Sequence, residues 1–218
     1  MVSYRAGAGY YYKFNKWLSN FTTVFGTGLV ADVSSAGGWT DKLSLNYGIR
    51  STFQTNFNLS EKVKLSGLTG VELQRQNAST VGYNLKANPS DATPLTWNLG
   101  DPYWVINANT SNVATVNSTS SLFTEWTLAL PQDLAITAGV GASKMRIHLE
   151  DRFNPATATR PANFDTLYKK MVSPHFAINK VFNKKISVYA SYSTGFQAPV
   201  SSNFFVVVPA VRADTARA

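Results

Sequence analysis

The chain has no cysteine among its 218 residues, so disulfides, thiolate metal sites and a cysteine nucleophile are excluded. Its two histidines, His148 and His175, have no ligand spacing to each other or to a carboxylate cluster. No glycine loop is built to cradle a phosphate, and no constellation of side chains points to catalysis. Neither an enzyme nor a cofactor or metal is expected. Apolar runs are short, none approaching the roughly 20 residues of a membrane-spanning helix. Charged residues make up only 15%, and the start, Met1-Val2-Ser3-Tyr4-Arg5, lacks the apolar core of a secretion signal. That start suggests an internal piece of a longer protein.

The charge present leans positive: Lys plus Arg 20 against Asp plus Glu 12, net +8, with a pI of 9.7. Basic, aromatic-rich chains can bind nucleic acid. Here, however, the cations form no single stripe. Several sit in short turns (Lys13, Lys16, Lys62, Lys64, Lys184, Lys185), which suits solvent or anionic headgroups. Nucleic acid is not an expected partner.

What the sequence has in abundance is period-two alternation. Between Leu43 and Leu59, the residues Leu43, Leu45, Tyr47, Ile49, Phe53, Phe57 and Leu59 share one face, with Ser51 and Thr55 as polar exceptions. Ser44, Asn46, Gly48, Arg50, Thr52, Gln54 and Asn56 line the other. Such a strand exceeds both the usual five or six or so residues and the roughly nine to eleven that cross a bilayer. Tyr4 to Phe14, Phe21 to Val33, Val63 to Gln74, Ser121 to Leu130, Leu134 to Ser143, Val172 to Asn179 and Ile186 to Ser193 repeat the pattern. From Lys144 to Ile147 the alternation changes phase, as at a β-bulge. Short turns near positions 17, 61, 132 and 183 alternate with looser connections. Nothing helical exists to cover the greasy face; lipid could.

The alternation predicts an all-β fold, an antiparallel up-and-down transmembrane β-barrel segment of about eight strands. Residues 1–205 would form this partial barrel, with hairpins at about 4–33, 43–75, 120–150 and 168–196. A long outer loop is expected at about 77–118, and an irregular tail at 206–218. Arg50, Glu72 and Glu125 fall on the polar, lumen-facing sets, because a cation at mid-bilayer costs about 2–4 kcal/mol.

The run Ser191-Tyr192-Ser193-Thr194-Gly195-Phe196-Gln197-Ala198-Pro199-Val200 resembles the strand-end signature of TonB-dependent outer-membrane receptors. In that signature a Tyr-rich strand runs into a Gly-aromatic-x-Ala-Pro element. Tyr192, Gly195, Phe196, Ala198 and Pro199 carry the likeness, and Val200 to Phe205 continues it. Gly195 permits a bend, and Pro199 offers no amide hydrogen to a ladder. The resemblance implies a Gram-negative outer-membrane barrel of about 22 strands, filled by a plug domain and energised by the TonB complex. It also implies import of an iron–siderophore or another large nutrient. Neither plug nor TonB-contacting box occurs in this sequence, so both partners would act through the parent chain. Trp97, Tyr103 and Trp104 in the long loop, with Lys144 and Arg146, are the candidate substrate contacts, since aromatic and cationic groups suit anionic chelates. Arg50, Glu72 and Glu125 are candidate contacts to the plug. Two other readings compete: a complete eight-stranded structural or adhesive barrel, and a soluble carrier with Ile49, Phe53, Leu128 and Val140 packed inside.

Overall fold

The computed structural model describes residues 1–35, 38–87, 104–154 and 162–195. Eight strands follow one another: β1 (Val2–Lys13), β2 (Leu18–Ser35), β3 (Gly38–Asn58), β4 (Lys64–Ala87), β5 (Trp104–Leu130), β6 (Leu134–Asp151), β7 (Asn163–Phe182) and β8 (Ile186–Ser193). They form one sheet in sequence order, every neighbouring pair antiparallel. The sheet is open, with β1 and β8 as its edges. This is a partial up-and-down barrel.

The register shows which sides of neighbouring strands coincide. Ile49 pairs with Val24 and with Leu73, and Val24 pairs with Ala8. The same side continues through Leu122, Ala142 and Val172 and, further along β7, through Phe176 and its partner Tyr192. This face is apolar and open: Val24, Ile49, Phe53, Leu73, Leu122, Val140, Phe176 and Val188 are all exposed large hydrophobics. Along β6 its members Ala138, Val140, Ala142, Lys144 and Arg146 are exposed while the intervening residues are not. That asymmetry marks it as the outer, convex side. The buried apolar residues Ala31, Ile147, Leu149 and Ala177 all stand on the inner side. So large an exposed apolar surface needs a nonpolar medium, and no helix among the described residues is long and apolar enough to cross a membrane. The soluble-carrier arrangement does not occur: Ile49, Phe53 and Val140 are 40%, 41% and 44% exposed.

Polar residues on the outer face find partners, as hydrocarbon demands. Asn20 Nδ2 donates to Ser51 Oγ at 3.0 Å, Thr22 Oγ1 donates to Asn20 Oδ1 at 2.9 Å, and the two hydroxyls of Thr22 and Ser51 are 2.8 Å apart. The three close a triangle. Thr55 Oγ1 donates to Gly67 O at 3.3 Å, and Trp126 Nε1 to Thr124 Oγ1 at 2.9 Å. At the short-turn end, outward aromatics gather: Tyr12 meets Phe14 edge-on at 4.8 Å, and Trp17 stacks on Phe57 at 5.5 Å. Such girdles sit where hydrocarbon gives way to headgroups.

Three expectations change. The loop expected at 77–118 is mostly strand: β4 runs to Ala87 and β5 starts at Trp104, leaving 88–103 outside the described residues. Asn, Ser and Thr carry no hydrophobic alternation, yet they pair along a ladder, with Asn84 Oδ1 even accepting from Ala108 N at 2.8 Å. The hairpins accordingly outrun 43–75 and 120–150, and β7 starts at Asn163 rather than 168. Strand β2 runs to Ser35 and β3 starts at Gly38, leaving 36–37 outside the described residues. At 27 residues, β5 is about 90 Å long at roughly 3.3 Å per residue, far more than a bilayer crossing needs. Finally, β6 keeps its phase through Lys144 to Ile147; the bulge lies on β7, where Ser143 pairs with Met171 but Met145 with Tyr168. The tail 206–218 lies outside the described residues.

A charge on the outer face should be far costlier than one on the inner. In the parent barrel, Ile49→Arg should lower the unfolding free energy by about 2–4 kcal/mol, and Gln74→Arg by under about 1 kcal/mol. Denaturant titration in lipid vesicles measures both.

Candidate functional site

The inner face is lined by short polar side chains tied strand to strand. Gln74 Nε2 donates to Asn46 Oδ1 at 2.9 Å, and Ser187 Oγ to Asn179 Oδ1 at 2.8 Å. The hydroxyls of Ser121 and Ser143, and of Thr127 and Thr137, are each 2.8 Å apart. Arg50 and Glu72 face each other across β3 and β4, and Arg50 Nε donates to Glu72 Oε2. Arg50 also lines a recess of ≈ 390 Å³ shared with Phe21, Thr23, Phe25, Thr52 and Leu68.

Glycines shape this wall. Phe21 lies over Gly9, Phe25 over Gly48 and Phe123 over Gly70; a Cβ at those glycines would come within 2.9, 2.7 and 2.7 Å of the rings. The rings thereby hug the sheet. Gly139 does something different. It sits between Glu125 and His175 in one cross-strand row, and over it Glu125 Oε2 approaches His175 Nε2 to 3.9 Å. A Cβ there would stand 3.2 Å from Glu125 Cβ and 3.0 Å from Thr124 O. Strands β5 and β7 are about 10 Å apart across β6, so a bare backbone between them gives the pair its path.

Lys144 and Arg146 lie on the other side. Lys144 pairs with Ser120, and Arg146 with Ser118, in the outward series that includes Ala142 and Val140. The residue types change from apolar to charged at Lys144 while the geometry continues unbroken. Arg146 binds Asp165 in a bidentate fork, Nε to Oδ1 at 2.9 Å and Nη2 to Oδ2 at 2.8 Å. His148 Nδ1 lies 3.5 Å from the same carboxylate. The hydrogen bond from Arg146 holds the Asp165 carboxyl below its ordinary range; desolvation opposes it, and the Arg146 charge and His148 add to the lowering. On the inner side at this level the wall is apolar: Ile147 and Leu149 pack with Val113, Met145, Phe164 and Tyr168, and burial pushes the Tyr168 hydroxyl up.

Arg50, Glu72 and Glu125, the expected plug contacts, share the inner face. Lys144 and Arg146, from the expected substrate set, face outward, so a path through the interior does not pass those two side chains. Trp97 and Tyr103 lie outside the described residues, and Trp104 opens β5 with its side chain likewise outside them. Of the inner-wall phenylalanines, Phe123 falls on the polar set that alternation reads as inward, whereas Phe21 and Phe25 belong to the apolar set of β2, which the pairing of Val24 with Ile49 turns inside rather than out. Their signal was a glycine on the adjacent strand, which only the register reveals. Among the described residues there is no group of three or more His, Cys, Asp or Glu able to hold a metal.

Residues 2–214 match the family described as TonB dependent receptor-like, beta-barrel. The chain belongs to this family. The receptor barrel is also similar in fold to three solved proteins. These are the ferric citrate transporter FecA in its unliganded form (TM-score 0.66, 9% identity), the siderophore receptor PiuA from Acinetobacter baumannii (0.68, 11%) and the ferric-catecholate import receptor Fiu from E. coli K12 in its open form (0.63, 14%). The matches cover 87%, 88% and 90% of this chain but 26%, 32% and 36% of those chains. The chain thus spans about a quarter to a third of the receptors it resembles, and the likeness concerns fold alone. No curated protein sequence gave a match. Of the strand-end motif, Tyr192 is an exposed outward residue of β8 and Gly195 has open space around it; Phe196, Ala198 and Pro199 lie outside the described residues.

Two measurements test this geometry. Arg50 is 57% exposed, so removing it should cost only about 0.2–1 kcal/mol, and the swap Arg50→Glu with Glu72→Arg should recover most of that in a double-mutant cycle. For Asp165, the depressed carboxyl contributes stability above its unfolded pKa, and that contribution is lost as pH falls through the lowered folded value. NMR titration should show Asp165 protonating below the ordinary carboxylate range, and Arg146→Ala moving it back up.

Proposed function

We propose that this chain is a wall section of an outer-membrane importer that takes up an iron–siderophore-type complex or another nutrient too large for simple pores. The observation that carries the reading is a family barrel wall whose apolar side faces out and whose polar, hydrogen-bonded side faces in. The parent barrel would continue beyond both edges of this sheet, since an unpaired strand edge has no place in hydrocarbon. A plug domain of the parent chain would rest against the inner wall. Arg50, Glu72 and Glu125 are its contacts in this reading, and the recess beside Arg50 offers a plug side chain both an aromatic floor and a charge. The TonB complex would act through that plug.

The ligand would be met above the membrane. Trp97, Tyr103 and Trp104 are proposed as its aromatic contacts on this chain, because aromatic rings stack on chelates and exclude water around them. A complete small barrel is not favoured, because the match is to a receptor barrel and the sheet does not close on itself.

In the intact receptor, replacing Trp97, Tyr103 and Trp104 together by Ala should weaken binding of a ferric chelate by about tenfold or more. Equilibrium binding to purified receptor reads this. Unchanged affinity removes these residues from the site, and an intact receptor that accumulates no ferric chelate in cells removes the import reading itself.

A further inference from the structure

Outside the barrel, at the level where the outward face ceases to be apolar, three cations converge. Arg75 on β4 pairs with Ser118 on β5, and Ser118 pairs with Arg146 on β6, so two of the cations flank a serine in one row. The row below reads Leu73, Ser120, Lys144. Arg75, Ser118 and Arg146, with Val116, His148 and Asp165, line a recess of ≈ 260 Å³. Two arginines separated by one strand are about 10 Å apart at their backbones, and a serine hydroxyl lies between them. Like charges set in a row repel unless an anion sits among them.

The cations are not consumed internally. Among the described residues Arg75 donates to Asn77 Oδ1, at 3.3 Å, and no carboxylate pairs with Arg75 or Lys144. Asp165 neutralises one charge, yet its fork takes only Nε and Nη2 of Arg146 and leaves Nη1 outside the fork. Glu150, the next carboxylate on this face, is held by Arg152 at 2.8 Å. The recess is thus cationic and hydroxyl-lined, and the exposed apolar residues Leu73, Leu122 and Val140 follow it in successive rows down the same outer face.

We propose that this recess binds the phosphate of a lipid headgroup, the acyl chains of the same molecule lying against Leu73, Leu122 and Val140. The inference rests on the outer-membrane reading above. Continuity with the apolar face decides between sources of phosphate: a free anion gains nothing from Leu122, whereas a phospholipid gains at both levels. Arg75 and Arg146 are the phosphate contacts within the recess, Ser118 donates its hydroxyl, Asp165 holds Arg146 in place, and Lys144 adds its charge from the next row toward the apolar band. Phosphorylated lipids would so fix the height of the barrel in its membrane.

The test uses the purified intact receptor in nanodiscs of phosphatidylcholine with or without phosphatidic acid, followed by exchange into detergent and mass spectrometry of retained lipid. Wild-type receptor should retain phosphatidic acid in preference to phosphatidylcholine. Arg75→Ala with Lys144→Ala should reduce that retention roughly tenfold or more, while Lys62→Ala with Lys184→Ala, at the short-turn end, leaves it unchanged. Should the double variant fail to fold, Ser118→Asp must produce the same loss by placing a negative charge between the arginines. Equal retention by wild type and the recess variants overturns the proposal. So does displacement of the lipid by millimolar inorganic phosphate, which would make this a free-anion site. Retention is measured without transported ligand, so failed import and failed lipid binding are read separately.

Discussion

A backbone amide or carbonyl in hydrocarbon has no water to fall back on, and each one left unpaired costs several kcal/mol. The rest of this structure follows from meeting that constraint within one layer. Seven antiparallel ladders join eight strands, and no second layer is needed because the side chains on the apolar side have lipid to meet. Even the few hydroxyls and amides on that side, Asn20, Thr22 and Ser51, satisfy one another. The two edges are the exception. β1 and β8 are exposed along their whole length, as wall strands are before a barrel closes around them.

Beyond the apolar band the two sides exchange character. Below Ser143 the outside is greasy and the inside polar; above it Lys144, Arg146, His148 and Glu150 point out while Ile147 and Leu149 point in. Water now bathes the outer face, so charge is cheap there, and the inner side gains by burying its apolar residues together. The bulge on β7 completes the exchange. One extra residue flips that strand's alternation, bringing Phe164 and Tyr168 to the inner cluster and Asp165 out beside Arg146. The projecting strands thereby acquire a small core of their own, which a membrane-embedded wall does not require.

The inner wall is organised by the spaces between side chains as much as by the side chains. Glycine under Phe21, Phe25 and Phe123 keeps each ring close to the sheet, and glycine between Glu125 and His175 lets two groups meet across an intervening strand. A wall built this way is flush, polar and sparsely charged. That suits sliding contact with an enclosed domain better than it suits a tight, dry interface.

Much of the architecture was legible from residues alone. The eight strands, their short turns and the inward placement of Arg50, Glu72 and Glu125 were readable, because side-chain alternation belongs to a single strand and survives without its neighbours. The polar stretches 77–87 and 104–118 were not, since Asn, Ser and Thr form strands there only by pairing with each other. Nor was the outward aim of Lys144 and Arg146, or the row that sets Arg146 beside Ser118 and Arg75. The sequence by itself determined which residues of each strand share a side. Only the tertiary structure decided which sides of neighbouring strands coincide, because register is a property of pairs of strands and a slip of one residue reverses every assignment.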